Sequence, residues 1–158
     1  MKHIALIAFT LLSFSLHAQT LYMKSGAFTP VENVKSIQDF ENWTNYQYSD
    51  KTYCLLQFAK SISELERQTI SKATGIEFYD YFPQWAFLAA VPKSFDINSL
   101  ANYHIRSIIP FEAKYKIAPK LLQQPFPTWM EKGNGTIEVL VDIMPSINQE
   151  NGKTLFLS

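Results

Sequence analysis

The chain has 158 residues, no net charge at neutral pH and a single cysteine. Its 14 basic residues balance 14 acidic ones and form no basic block, which excludes a nucleic-acid partner because such binding requires clustered lysine and arginine. One cysteine also excludes an internal disulfide framework, so packing alone must hold the fold together.

Residues 1–18 have the pattern of a secretory leader. Lys2 and His3 form a short polar start, residues 4–16 form an apolar core, and the small Ala18 follows, as expected at a cleavage site. The apolar run is shorter than the roughly 20 residues that cross a bilayer. We therefore predict cleavage after Ala18, no membrane span, and a secreted or periplasmic protein.

Residues 19–52 form a polar lead-in, in which we expect a short strand at Leu21–Met23 and a short helix around residues 34–43. Residues 53–118 then follow the order of a β-α-β-β-α-β unit. Its first strand is YCLLQFA, and the capping-box spacing of Ser61 and Glu64 predicts the start of the first helix. Gly75 closes that helix, whose inward positions are predicted to be Ile62, Leu65, Thr69, Ile70 and Ala73.

The second half of the unit contains a hairpin, a short helix and a last strand. IEFYDYFP and WAFLAAVP flank a turn at Pro83-Gln84. Asp96 is the expected N-cap of a second helix, with Ile97, Leu100 and Ala101 facing inward. The last strand is expected from Ile105 towards Tyr115. This order predicts an α+β fold, a ferredoxin-like antiparallel sheet with both helices on one face.

Both faces of this predicted sheet are apolar, although a sheet with helices on one face normally alternates apolar and polar residues. One face is covered by the helices, and the other carries tyrosines and leucines. Exposed apolar patches of this kind mark interaction surfaces. The alternative is that residues 19–52 or the C-terminal stretch fold over the second face.

The chain after the unit divides into a linker and a new strand. Residues 119–135 contain three prolines and end in Gly133-Asn134-Gly135, which is typical of a linker with turns. TIEVLVDIMPS then predicts the first strand of an incomplete second domain, residues 136–158. Because one strand and a tail cannot bury a core, we expect that a continuation of the chain has been lost.

The residues give little sign of catalysis. His104 is the one histidine beyond the leader and is better explained as a partner of a helix C-terminus than as half of a thiol–imidazole pair with Cys54. No nucleophile elbow, metal-ligand cluster or phosphate-binding glycine loop is present. Asp142 lacks the residues that would follow a catalytic aspartate. We expect no cofactor and no enzymatic activity from this polypeptide.

The chain resembles the N-terminal pro-region of secreted bacterial subtilisin-like serine peptidases over about residues 50–118. The residues that carry the resemblance are Gln57-Phe58, Gly75, Tyr81-Phe82-Pro83, Ile108-Ile109-Pro110 and Tyr115. The matching peptidase domain is absent from the sequence. The resemblance implies an intramolecular chaperone and temporary inhibitor that binds a subtilisin-like peptidase domain, in cis or in trans.

The resemblance also implies two sets of contact residues. The open sheet face would dock on the peptidase through Tyr53, Leu55, Tyr79, Tyr81, Leu88 and Ile108. An extended piece after the last strand would enter the active-site cleft, with Tyr115, Ile117, Leu121 and Leu122 as its apolar residues. Two other hypotheses remain: a secreted adhesion or accessory module that binds another protein, and a small-molecule-binding domain.

Overall fold

The structure, a computed structural model, describes residues 19–34 and 40–148, without the side chains of Glu41 and Asn98. The predicted leader, residues 1–18, lies outside this range, as does the middle of the helix predicted around residues 34–43. The chain divides into two compact units, Met1–Ala118 and Pro119–Ser158.

The first unit contains seven described strands, two α-helices and three 3-10 helices. The strands are β1 (Leu21–Met23), β2 (Gly26–Phe28), β3 (Gln47–Tyr48), β4 (Lys51–Phe58), β5 (Glu77–Phe82), β6 (Ala86–Pro92) and β7 (Ile105–Pro110). The helices are α1 (Glu64–Thr74), α2 (Ala113–Lys116) and the 3-10 helices Phe40–Asn42, Thr44–Tyr46 and Ile97–Tyr103. The fold is therefore α+β, and β1 lies where the sequence predicts a strand.

The main sheet is antiparallel and is built around β4. One edge of β4 pairs with β6, and β6 pairs in turn with β5. The other edge pairs with β3 at Lys51 and Thr52 and with β7 from Cys54 to Phe58. β1 and β2 form a separate antiparallel hairpin. The turn between β5 and β6 contains Gln84 and Trp85, both at positive φ, a conformation that suits tight hairpins.

Helix α1 begins two residues later than the sequence predicts. Ser63 is its N-cap: the Ser63 hydroxyl accepts from the Glu66 amide at 3.2 Å, and the Glu66 carboxylate accepts from the Ser63 amide at 2.7 Å. The prediction of Ser61 and Glu64 as the capping pair was wrong, because the same spacing occurs twice in this stretch. Gly75 ends the helix at φ 73°, as predicted.

The inward face of α1 also differs from the prediction. Ile70 is buried in the core, but Leu65 is 73% exposed, and Thr69 and Ala73 are also exposed. Arg67, a charged residue, is half-buried, since its guanidinium lies over the ring of Phe87. Ile62 also packs against the core but precedes the helix, so that Ile70 is the one predicted inward residue within α1 that is buried.

The second predicted helix is a 3-10 helix, Ile97–Tyr103, in which Ile97 and Leu100 are buried. These two residues join Ile70 of α1 in one core cluster with the apolar side chains of the sheet. The last strand ends at Pro110 and does not continue towards Tyr115, because Ala113–Lys116 is helical.

The second unit contains little regular structure within the described residues. It has a 3-10 helix at Pro119–Leu122, a cis peptide bond before Pro125, and a short antiparallel hairpin of β8 (Glu131–Lys132) and β9 (Thr136–Ile137). The strand predicted from Thr136 stops at Ile137, and Leu140 beyond it is 90% exposed. The apolar run thus has no described strand to pair with.

Candidate functional site

Both faces of β4 are buried. Cys54, Leu56 and Phe58 point to the helix side and belong to the main core cluster. Tyr53, Leu55 and Gln57 alternate with them on the second face, and every one of these side chains is also buried. The apolar character that the sequence shows on both faces therefore corresponds to two buried layers.

A segment before the sheet hydrogen-bonds to the second face. We call residues 19–31 the cover segment. Gln57 Nε2 donates to the backbone carbonyl of Gln19 at 2.9 Å, and Ser107 Oγ donates to the carbonyl of Val31 at 2.8 Å. Gln57 and Ser107 are register partners on β4 and β7, and Leu21 of the cover segment is completely buried. The stretch read as a lead-in thus packs as part of the first unit.

Four of the six predicted docking residues are buried in this chain. Tyr53, Leu55 and Leu88 lie on the second face, which the cover segment contacts. Ile108 lies on the helix side instead, because it pairs with Leu56 and joins the same core cluster. The second face is therefore not an open surface, which corrects the expectation that these four residues are available for docking.

The other two predicted docking residues lie on β5. Tyr79 is half-buried and donates its hydroxyl to Glu77. Tyr81 is 55% exposed. The register between β5 and β6 shifts between Phe78 and Tyr81, and this irregularity places Tyr81 opposite Phe87, on the helix side. The prediction that Tyr79 and Tyr81 share one face was wrong, since a bulge reverses the alternation.

Tyr81 belongs to an aromatic cluster that reaches the surface. Its ring centroid lies 5.1 Å from that of the buried Phe87, which also contacts Phe58 and Phe78. The guanidinium carbon of Arg67 lies 5.5 Å from the Phe87 ring centroid. We call Tyr81, Arg67 and Phe87 the Tyr81 surface. It adjoins β5, an edge strand in the described part of the sheet.

The predicted cleft-directed tail is not extended. Tyr115 lies in α2 and stacks on Phe28 with ring centroids 5.0 Å apart. Ile117 and Leu121 are half-buried, and Leu122 is exposed in the 3-10 helix Pro119–Leu122. A helical turn at each end of this stretch replaces the expected extended piece.

A polar cleft of about 390 Å3 lies near the cover segment, where β4 ends and β7 begins. Its apolar lining comes from Val34, Ala59, Ala101 and Ile105, and its polar lining from Gln19, Glu32, His104 and Arg106. Arg106 Nη1 donates to Gln19 Oε1 at 3.2 Å, and Gln19 Nε2 donates to the carbonyl of Ala59 at 3.2 Å. Sequence reasoning missed this grouping, because residues so far apart in the chain carry no shared motif.

The other chemistry-bearing residues that the sequence singles out are Cys54 and His104 in the first unit and Asp142 in the second. Cys54 is completely buried and desolvation raises the pKa of its thiol, whereas His104 is exposed at the cleft. Asp142 lies exposed outside any strand. Among residues 19–34 and 40–148, no group of three or more potential metal ligands occurs. No helix in the described residues is long and apolar enough to cross a bilayer.

These features define a small α+β domain with an antiparallel sheet buried on both faces, an aromatic surface at one edge and a polar cleft at the opposite side of β4. The chain belongs to the family described as Domain of unknown function (DUF8729), which matches residues 22–112. The match begins inside the cover segment and ends just after β7. No curated protein and no solved structure matches the chain.

Proposed function

We propose that this chain is an exported protein-binding module that docks through the Tyr81 surface. The observation that carries the proposal is the position of Tyr81, which is exposed while its ring rests against the buried Phe87. A rigidly supported aromatic side chain loses little entropy on binding and offers a large contact area. Tyrosine and arginine are also the residues most enriched at binding hot spots, together with tryptophan, and Arg67 lies over the same ring.

The partner that the resemblance supports is a subtilisin-like peptidase domain, bound in cis or in trans. The antiparallel pairing of β4 with both β7 and β6, and of β6 with β5, supports the ferredoxin-like arrangement that the sequence predicts, with α1 between β4 and β5 in sequence. Pro-regions of such peptidases are expected to have this fold. In this role the chain acts as a chaperone and temporary inhibitor.

A second candidate is an adhesion or accessory module that binds a different extracellular protein. The observation that favours it is the buried second face. The docking mode implied by the resemblance uses that face, and the cover segment would have to leave Gln57 and Ser107 before a peptidase could reach it. Docking through the Tyr81 surface needs no such displacement, whichever partner binds.

Inhibition of a purified subtilisin-like peptidase tests the partner and the surface together. The full chain is titrated into the peptidase, and cleavage of a fluorogenic peptide is followed. Wild-type chain should inhibit at micromolar concentration, and Tyr81→Ser should weaken inhibition about tenfold or more, the loss typical of a hot-spot residue. Tyr22→Ser is the matched control, because Tyr22 is a similarly exposed tyrosine on β1, at 64%.

Two results would contradict the proposal, and they contradict different parts of it. If wild type and Tyr81→Ser inhibit equally, and circular dichroism shows that both are folded, the Tyr81 surface is not the docking surface. Absence of inhibition by the wild-type chain removes the peptidase as partner and leaves the accessory-module alternative.

A further inference from the structure

The polar cleft combines an apolar floor with opposite charges at its rim. Its exposed apolar surface comes from Ala59 and the half-buried Ala101, because Val34 and Ile105, which also line the cleft, are buried. Glu32 supplies an acidic group and Arg106 a basic one, and the two do not form an ion pair with each other in the described structure. Its volume of about 390 Å3 lies in the range of small-molecule sites.

Backbone irregularities place Arg106 and His104 at this cleft. The register between β4 and β7 shifts at Phe58, so that Ile105 and Ser107 pair with successive residues and Arg106 is the extra residue of a bulge. Bulges re-aim side chains and occur preferentially beside functional sites. His104, one residue before β7, has φ 61°, and the Ala59 amide donates to its carbonyl at 2.8 Å.

The surroundings hold Arg106 in position while leaving it donors for a ligand. The amides of Asn33 and Val34 donate to its backbone carbonyl at 3.0 and 3.2 Å, which ties the segment carrying Glu32 to the bulge. Of the five donors of a guanidinium, one is directed to Gln19 Oε1. A planar guanidinium with free donors binds carboxylates with two parallel hydrogen bonds.

We propose that this cleft binds a small zwitterionic α-amino acid with a compact apolar side chain. Arg106 binds the carboxylate, Glu32 binds the ammonium group, and the side chain lies against Ala59 and Ala101. His104 closes the rim beside Arg106. The proposal is independent of the Tyr81 surface, and neither depends on the outcome of the other.

The test uses the full chain, expressed with its own N-terminal segment and with the mass of the recovered product recorded. Amide signals of Ala59, Ile105 and Arg106 are followed by NMR during titration with L-leucine. A ligand of this size should bind with a dissociation constant of about 1 mM. N-acetyl-leucine lacks the ammonium group and leucinamide lacks the carboxylate, so each should bind about fivefold or more weakly.

Three variants test which side chain binds the carboxylate of leucine and which binds its ammonium group. Arg106→Ala should weaken leucine binding about tenfold or more, the size of a lost charge-assisted hydrogen bond. Glu32→Gln should weaken leucine binding but leave the binding of N-acetyl-leucine unchanged, because that probe has no ammonium group. Lys93→Ala removes an exposed charge outside the cleft lining and should bind leucine like the wild type.

The proposal is overturned if about 20 mM leucine, well above the expected dissociation constant, leaves the cleft signals of the wild-type chain unchanged. It is also overturned if Glu32→Gln weakens leucine and N-acetyl-leucine equally, since Glu32 would then act without recognising the ammonium group. Both results come from the wild type and a surface variant, so they stand even where Arg106→Ala fails to fold.

Discussion

The side-chain amide of Gln57 donates hydrogen bonds to the backbone carbonyls of Gln19 at 2.9 Å and Gln84 at 3.2 Å. A polar side chain at the centre of a buried strand thereby joins the cover segment to the turn between β5 and β6. Its Oε1 has no hydrogen-bond partner in the described structure. Buried amides are costly unless they are paired, so the two donated bonds are the reason that glutamine fits here.

Replacing Gln57 should loosen the cover segment before it affects the rest of the sheet. Gln57→Leu keeps the approximate volume but removes both donated bonds, and leaves two carbonyls to find other partners. We expect a loss of about 1–2 kcal/mol in the free energy of unfolding, measured by urea denaturation. Hydrogen exchange at the β1–β2 hairpin should accelerate more than exchange in β6.

Ser107→Ala provides a second, milder variant of the same contact. It removes only the bond to the Val31 carbonyl and should cost about 1 kcal/mol. Equal acceleration of exchange in the hairpin and in β6 would contradict a separately released cover segment.

The capping box of α1 can be tested by a pair of serines. Ser63→Ala should lower the free energy of unfolding by about 1 kcal/mol, because it leaves the Glu66 amide without its acceptor. Ser61→Ala, two residues earlier, should change it by less than about 0.5 kcal/mol, as an exposed position outside the helix. A larger effect at Ser61 than at Ser63 would instead indicate that Ser61 is the N-cap, as the sequence predicts.

An ion pair between Lys51 and Glu77 should give the stability a dependence on pH at both extremes. Hydrogen bonds from Lys51 and then Tyr79 lower the pKa of Glu77, and the hydrogen bond to Glu77 raises the pKa of Lys51. The contribution of Glu77 is complete above its ordinary pKa of 4.5 and is lost as the pH falls through the lowered value. That of Lys51 is complete below its ordinary pKa of 10.5 and is lost as the pH rises through the raised value.

Glu77→Gln isolates this pair from the other carboxylates. Glu64 and Glu66 also have lowered pKa values, through hydrogen bonds with Gln68 and with the Ser63 backbone respectively. Several carboxylates therefore contribute to the loss of stability of the wild type at acid pH. The difference in unfolding free energy between wild type and Glu77→Gln should be about 0.5–1 kcal/mol near neutral pH, since the pair is partly exposed. It should shrink at acid pH. If the difference in unfolding free energy is the same at every pH, the Lys51–Glu77 ion pair does not contribute to stability.

Cys54 should be inert in the folded chain. It is completely buried, and desolvation raises the pKa of its thiol, so the reactive thiolate is scarce and inaccessible. A chromogenic disulfide reagent should label it in urea but not in buffer at pH 8, within the lifetime of the folded state. Rapid labelling of native protein would show that the core around β4 opens.

Local signals in the sequence were enough to predict β4, α1, the β5–β6 hairpin and the left-handed cap at Gly75. Each depends on residues close together in the chain: an apolar run, a capping spacing, or a glycine that tolerates positive φ. The choice between Ser61 and Ser63 failed because both serines have a glutamate three residues later. Local chemistry does not distinguish them, and the packing of α1 against the sheet does.

The candidate sites were harder to predict because they depend on contacts between distant residues. Nothing near Gln57 indicates that its amide binds Gln19, and so the second face was expected to be open. The bulges in β5 and β7 each move one side chain, Tyr81 and Arg106, to a position that strict alternation does not give. An extra residue in a strand is a property of two paired strands and is invisible in either alone.

The position of β4 in the chain has a consequence for synthesis. This strand occupies the middle of the sheet, yet it precedes β6 and β7, which cover most of both its edges. During translation, its apolar sequence must wait until the residues up to Pro110 have emerged before both long pairings are complete. Unpaired strands of this kind are prone to aggregate. The chain is therefore most prone to aggregate while only the residues before β6 have been synthesised.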